Sequence, residues 1–154
     1  VILAKQVLQH CRAKGWKIAT AESCTGGMVA AALTDIAGSS DVFDRGFVTY
    51  SNAAKTEMLG VYPALIIEFG AVSQQVAENM ALGALSRSNA DIAVSITGVA
   101  GPGASESKPE GLVWFGLANK HSVIFSQKME FGPLGREFVR QASVEHALML
   151  LLNS

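Results

Sequence analysis

The chain has 154 residues, 49% hydrophobic and 16% charged, with a formal net charge of −1 at pH 7. This balance excludes a disordered chain, and it provides no broad cationic surface for nucleic acid, which needs clustered Lys and Arg to neutralise phosphates. The length suits a single domain over residues 1–154 with a substantial core, and no apolar run is long enough to span a bilayer.

The start of the chain has no basic and apolar regions of a secretion signal, and Cys11 and Cys24 form no C-x-x-C pattern. A reduced, cytoplasmic setting is therefore expected. His10, His121 and His146 lie far apart and match no metal-binding spacing, so no metal and no other cofactor is expected.

In chain order, Leu3, Val7, Leu8 and Cys11 recur at helical spacing and predict an amphipathic helix over residues 2–14, ended by Gly15. Lys17 to Ala21 reads as a buried strand, and the Ala- and Leu-rich run Met28 to Ala37 as a helix. Between them lies Glu22-Ser-Cys-Thr-Gly-Gly27. A helix that begins there leaves backbone N–H groups without intrahelical partners and carries partial positive charge, so it attracts anions. Gly26 and Gly27 let the backbone approach a ligand, while Ser23, Cys24 or Thr25 can supply a nucleophile or simply cap the helix.

Val42 to Tyr50 predicts a second strand with Tyr50 at its end. Asn52 to Leu59 follows as a short helix, capped by Ser51 or Asn52, stopped by Gly60 and carrying Lys55 in its first turns. Pro63 to Phe69 is a further short helix, and Ser73 opens a longer one that runs to about Arg87. Asp91 to Thr97 is a compact strand leading into Gly98-Val-Ala-Gly-Pro-Gly103, so an apolar strand again delivers a hydroxyl and small residues to one sheet edge. Ser105, Ser107, Lys108, Pro109 and Glu110 then form a polar lid or rim. Leu112 to Ala118 and Val123 to Phe131 predict an antiparallel hairpin, and a long helix follows Gly135. Strands alternating with helices, then a hairpin, make this an α/β fold with a mixed sheet covered by helices.

A serine nucleophile needs a base, and no histidine stands in the small-residue turns. Lys55 can serve if burial, or a cation such as Arg45 or Arg136, keeps it neutral, and the Tyr50 hydroxyl can relay protons. Cys24 is a rival nucleophile if its thiol ionises at the helix N-terminus, and a small core residue if it does not. Thr97 with Gly98, Gly101 and Gly103 can hold a phosphate or carboxylate on backbone N–H groups, or form a plain turn. Arg136 and Arg140 lie one helical turn apart and can both face an anion or both face solvent.

Five motifs occur in order: Thr20-Ala-Glu-Ser-Cys-Thr-Gly-Gly27, Tyr50-Ser-Asn-Ala-Ala-Lys55, Gly70-Ala-Val-Ser73, Ile96-Thr-Gly-Val-Ala-Gly-Pro-Gly103 and Gly111-Leu-Val-Trp114. With them, nearly the whole chain resembles the CinA C-terminal domain family. Members of that family include nicotinamide-nucleotide amidohydrolases, which convert nicotinamide mononucleotide and water to nicotinate mononucleotide and ammonia. The resemblance implies a three-layer α/β/α domain and a serine, tyrosine and lysine catalytic group at Ser23, Tyr50 and Lys55. On that reading Ser23 attacks the carboxamide, Lys55 is the base and Tyr50 the relay. Backbone N–H groups at Thr25, Gly26 and Gly27 hold the oxyanion, and the 5′-phosphate lies near Thr97, Gly98, Gly101 and Gly103 with Arg136 or Arg140 beside it.

Two stretches depart from the family pattern. Ala104-Ser-Glu-Ser-Lys-Pro109 replaces further glycine, and Leu134-Gly-Arg136 replaces Gly-Asp-Arg. Many relatives carry a separate N-terminal domain, and this chain resembles the stand-alone amidase form. The expected partners are a small-molecule nucleotide substrate and further copies of the chain, as in a homodimer, with neither membrane nor nucleic acid. Two alternatives stay open: a module that binds a nucleotide or partner without turnover, and an accessory protein in competence or DNA damage.

Overall fold

A computed structural model describes the backbone of residues 1–154 and every side chain except those of Ser122 and Val123. Five strands, β1 (Ile18–Glu22), β2 (Phe43–Val48), β3 (Ile92–Gly98), β4 (Leu112–Asn119) and β5 (Ser122–Glu130), form one sheet in the order β2-β1-β3-β4-β5. β1 runs parallel to both β2 and β3, whereas β3–β4 and β4–β5 are antiparallel. This is the expected mixed sheet.

Helices α1 (Ile2–Lys14), α2 (Met28–Thr34) and α6 (Arg136–Leu152) cover one face, and α3 (Asn52–Leu59), α4 (Pro63–Phe69) and α5 (Gln74–Ser86) the other. Side chains alternate across the pleat, so Ile92, Val94 and Ile96 enter the α1/α6 core with Val7, Phe115 and Leu151. Ala19, Ala21 and Ala93 meet Val76, Met80 and Ala84 of α5 on the opposite face. Small residues there let α5 lie close to the sheet. Ser95 Oγ donates to the Ala77 carbonyl at 2.6 Å, and a Cβ at Gly116 would stand 2.5 Å from that same oxygen.

Several element ends differ from those read in the sequence. α2 stops at Thr34 rather than Ala37, because the Thr34 hydroxyl bonds back to the Ala30 carbonyl and the chain leaves through Gly38 at φ 83 into a 3-10 turn, Ser39–Asp41. β2 ends at Val48, which puts Tyr50 in the following connection and not on the strand. β1 extends through Glu22, so this carboxylate belongs to a buried strand end rather than to the turn. Ser51, not Asn52, caps α3, accepting from the Ala54 N–H at 3.0 Å.

From β1 the chain crosses to β2 on one side, and β3 then takes the other side. The connections therefore diverge at the carboxyl ends of β1 and β3, where an open α/β sheet leaves a crevice for ligands. Ser23 follows β1 directly, and Thr97 ends the apolar part of β3.

The close fit of α5 makes a stability prediction. A Cβ at Gly83 would stand 2.0 Å from the Leu59 carbonyl oxygen of α3. Gly83→Ala is expected to lower unfolding stability by about 1–3 kcal/mol, the usual cost of overpacking, despite alanine's better helix propensity. Urea unfolding measures this, and an unchanged midpoint would show that α3 and α5 can separate without cost.

Candidate active site

The turn after β1 is built around Glu22, which is 1% exposed. Its Oε1 accepts from the Thr25 hydroxyl at 2.7 Å, the Gly27 N–H at 3.2 Å and the Val29 N–H at 2.9 Å, and its Oε2 from the Ala30 N–H at 3.0 Å. The anion attracted to the N-terminus of α2 is therefore the chain's own carboxylate. The Gly26 N–H bonds the Ser23 carbonyl at 3.1 Å, and the Met28 N–H bonds the Thr25 carbonyl at 3.0 Å. Every amide from Gly26 to Ala30 thus has an internal acceptor, which corrects the expectation that Gly26 and Gly27 hold an oxyanion. Among the described residues, the Cys24 and Thr25 amides alone in this turn meet no oxygen acceptor, and of the two residues only Cys24 lines the pocket.

Ser23 is held by its N–H on the Ile96 carbonyl of β3 at 2.9 Å. Its Oγ lies 3.0 Å from the Nζ of Lys55, which is 1% exposed. The same Nζ donates to the main-chain carbonyls of Thr49, at 3.1 Å, and Tyr50, at 3.2 Å. A neutral amine has two N–H bonds and one lone pair. In a neutral amine whose two N–H bonds go to these carbonyls, the lone pair is left for the serine hydroxyl. Burial lowers the Lys55 pKa, opposed by the nearby Cys24 and by the Glu106 carboxylate. Neither arginine considered from the sequence is a cause of that shift. Arg45 is turned to Asp44 and the Arg87 carbonyl, and Arg136 is held at the rim of the pocket.

Burial pushes the Cys24 thiol up to about 11, against smaller pulls from its own amide and Arg140. At neutral pH it is a thiol, a poor nucleophile beside a serine that already faces an amine.

Ser23, Cys24, Tyr50, Lys55, Thr97 and Arg136 surround a pocket of about 160 Å³. It adjoins a second pocket of about 200 Å³ that adds Gly101 and Gly103, with Tyr50, Gly98, Val99, Ala100, Ser105 and Arg136 common to both. Together they give a groove with a reactive inner end and an outer end made of glycine backbone. Tyr50 is 61% exposed. Its hydroxyl accepts from Arg136 Nη2 at 2.8 Å, and only its carbonyl touches Lys55, so a relay through the phenol would require it to leave Arg136. Arg136 Nη1 also donates to the Gly101 carbonyl at 2.7 Å. The Thr97 hydroxyl donates to the Ala71 carbonyl at 2.8 Å, which fixes it at the pocket wall.

Arg140 does not share the groove with Arg136. Its Nε donates to the Cys24 carbonyl at 3.0 Å, bracing the turn from behind, and Thr25, Gly26 and Gly27 also lie outside the pocket lining. Sequence reasoning passed over Thr49, whose carbonyl bonds Lys55, and Glu106, whose side chain reaches the pocket. It also gave Glu22 no role, although a carboxylate at the end of an apolar strand was a visible anomaly. The 104–110 loop forms a rim strapped in place: Lys108 Nζ donates to the carbonyls of Phe69, at 2.8 Å, and Val72, while Glu110 accepts from the Gly103 and Gly135 N–H groups, each at 2.8 Å. Among the described residues no group of three or more His, Cys, Asp or Glu is placed to hold a metal ion, and no helix is long and apolar enough to cross a membrane.

The family described as the CinA C-terminal domain matches residues 2–154. A nicotinamide-nucleotide amidohydrolase PncC of Enterobacter agglomerans is 57% identical over 144 residues, 92% of this chain and 87% of that protein. The Escherichia coli K12 protein of the same name is 49% identical over 150 residues, covering 97% and 90%. Among solved structures, the competence/damage inducible protein CihA from Agrobacterium tumefaciens superposes with a TM-score of 0.95 at 49% identity, over 99% of this chain and 94% of that one.

The state of the thiols is open to direct measurement. At neutral pH iodoacetamide is expected to leave Cys24 and Cys11 unmodified in the native protein and to alkylate both in urea, since burial raises each to about 11. Rapid native alkylation of Cys24, read by peptide mass, would show a thiolate and restore it as a nucleophile.

Proposed function

The chain belongs to the CinA C-terminal domain family, and we propose that it is an amidohydrolase that converts nicotinamide mononucleotide and water to nicotinate mononucleotide and ammonia. The observation that carries this reading is the buried Lys55 Nζ at 3.0 Å from Ser23 Oγ, with two carbonyls taking its other hydrogens.

Ser23 Oγ attacks the carboxamide carbon as Lys55 takes the hydroxyl proton. The developing oxyanion faces the Cys24 N–H, the amide of the residue after the nucleophile, a placement in which one donor contributes on the order of 3 kcal/mol. Protonated Lys55 has three oxygen neighbours, and it passes its proton to the departing nitrogen, which leaves as ammonia. Water then gives a proton to Lys55 and attacks the acyl ester, which frees the carboxylate product and restores Ser23. The outer groove, with glycine backbone and the remaining Arg136 N–H groups, suits the 5′-phosphate. Its binding energy orients the carboxamide at the inner end. A cytoplasmic setting accords with the free thiols of Cys11 and Cys24.

Ammonia release from nicotinamide mononucleotide tests the reading. Ser23→Ala is expected to abolish it and Cys24→Ala to keep most of it. Nucleotide binding with no ammonia from the unaltered protein would favour a module that binds without turnover. Free nicotinamide is expected to be a poor substrate, and equal kcat/KM for it and the mononucleotide would remove the phosphate from the outer groove.

The pH profile follows from the direction of the Lys55 shift. Only the neutral amine accepts the serine proton, so activity rises as pH rises through the lowered Lys55 pKa and is lost below it. Lys55→Arg is expected to be nearly inactive, since guanidinium stays protonated. A folded Lys55→Arg enzyme with kcat close to that of the unaltered protein would assign the base elsewhere.

A further inference from the structure

We infer that Glu22 is a positioning residue: its buried carboxylate sets the nucleophile turn so that Ser23 Oγ meets Lys55 while the Cys24 amide stays open for the oxyanion. The inference rests on the amidohydrolase reading of the same site, and it concerns a residue that is not part of the pocket lining and is not among the causes of the Lys55 shift.

The main chain around Glu22 and Ser23 is fixed from both sides. The Thr49 N–H donates to the Glu22 carbonyl at 2.9 Å, and the Ser23 N–H donates to Ile96. Thr49 then presents its own carbonyl to Lys55 Nζ. One residue of the β2–α3 connection thus ties the strand of the nucleophile to the base. What the sheet does not fix is the chain after Ser23, where Gly26 and Gly27 adopt φ values of 57° and 104°. Two glycines in succession make that path soft. The Glu22 side chain removes the freedom by reaching forward to Thr25, Gly27, Val29 and Ala30.

The same four bonds select which amides remain available. With Gly27, Val29 and Ala30 engaged, the N-terminus of α2 has no open first-turn donors to compete for a developing oxyanion at a wrong angle. Of the turn's amides, those of Cys24 and Thr25 are left without an oxygen acceptor, and Cys24, adjacent to Ser23, is the residue of the two that lines the pocket. Gln at position 22 keeps the shape but brings its own N–H groups against N–H donors, so at least one of the four contacts becomes repulsive. The turn then relaxes, and displacement of reacting atoms on the ångström scale costs up to about a hundredfold in rate.

Glu22→Gln, Thr25→Val and Thr25→Ser test this in the full chain, with kcat and KM for nicotinamide mononucleotide measured well below each variant's unfolding midpoint. Glu22→Gln is expected to lose about tenfold to a hundredfold in kcat with little change in KM, and the midpoint of the Lys55 limb of the pH profile should not move, because Glu22 does not face Lys55. Thr25→Val, which removes one donor at constant volume, should lower kcat in the same way, and Thr25→Ser should restore it. A purely structural role would lower the unfolding midpoint of both damaging variants and leave kcat of the folded protein intact. That result overturns the inference, as does an unfolded Glu22→Gln beside a fully active Thr25→Val. Labelling of Ser23 by a fluorophosphonate, followed by mass spectrometry, runs alongside. If the unaltered protein labels but releases no ammonia, the amidohydrolase reading fails. The positioning role is then judged by whether Glu22→Gln and Thr25→Val label more slowly than Thr25→Ser.

Discussion

The architecture of the site depends on hiding a lysine. Among the described residues, Lys55 is one of the largest fully buried side chains and forms no ion pair with a carboxylate. An ammonium in that position is penalised by burial, and the main-chain oxygens offset part of that penalty while giving the neutral amine acceptors for its N–H bonds. Those oxygens belong to Thr49 and Tyr50, in the connection from β2 to α3, and they reach Nζ because Ser51 caps α3 and starts the helix at Asn52. A shift of the α3 start by one residue would rotate Lys55 by about 100° around the helix and take the amine away from Ser23.

The mixed sheet makes this depth possible. Because β1 lies between β2 and β3, Ser23 emerges at the carboxyl end of an interior strand, flanked by the β2 connection with its carbonyls and by Thr97 from β3. Alanine, serine and glycine on the α5 face keep that helix low on the sheet, and α3 packs against it so tightly that Gly83 admits no side chain beneath Leu59. Close packing of two helices on one sheet face therefore buries the Lys55 side chain everywhere but at the pocket. The chemistry and the core share this constraint, and the residues that satisfy it are the small ones.

Much of this was legible in the sequence, because the informative residues lie close together along the chain. A strand, a small-residue turn and a helix can be read at 17–37, a strand and a small-residue turn again at 91–103, and the relevant spacing from Tyr50 to Lys55 is local. The parts that escaped depend on where side chains reach. Glu22 looked like one residue of a turn, yet its position at the end of β1 lets it accept from residues as far on as Ala30. Arg140 looked like a partner of Arg136, but one helical turn along α6 carries it to the back of the Ser23 turn, onto the Cys24 carbonyl. Tyr50 was given to the catalytic group through its hydroxyl, and it is the carbonyl that contacts the base. Backbone carbonyls as functional groups leave no trace in residue type.

The groove is also electrostatically uneven, and one loop carries both signs of the effect. At the outer end its glycine backbone and the pinned Arg136 favour an anion. Farther along, the exposed Glu106 lines the inner pocket and opposes the lowering of the Lys55 pKa by burial. Glu106 and Ser107 hold φ values of 52° and 65°, a left-handed conformation unfavourable for residues with a Cβ, and the straps from Lys108 and Glu110 keep the loop in that shape. The groove therefore favours an anion at its glycine end and disfavours one at its Lys55 end, beside the Glu106 carboxylate.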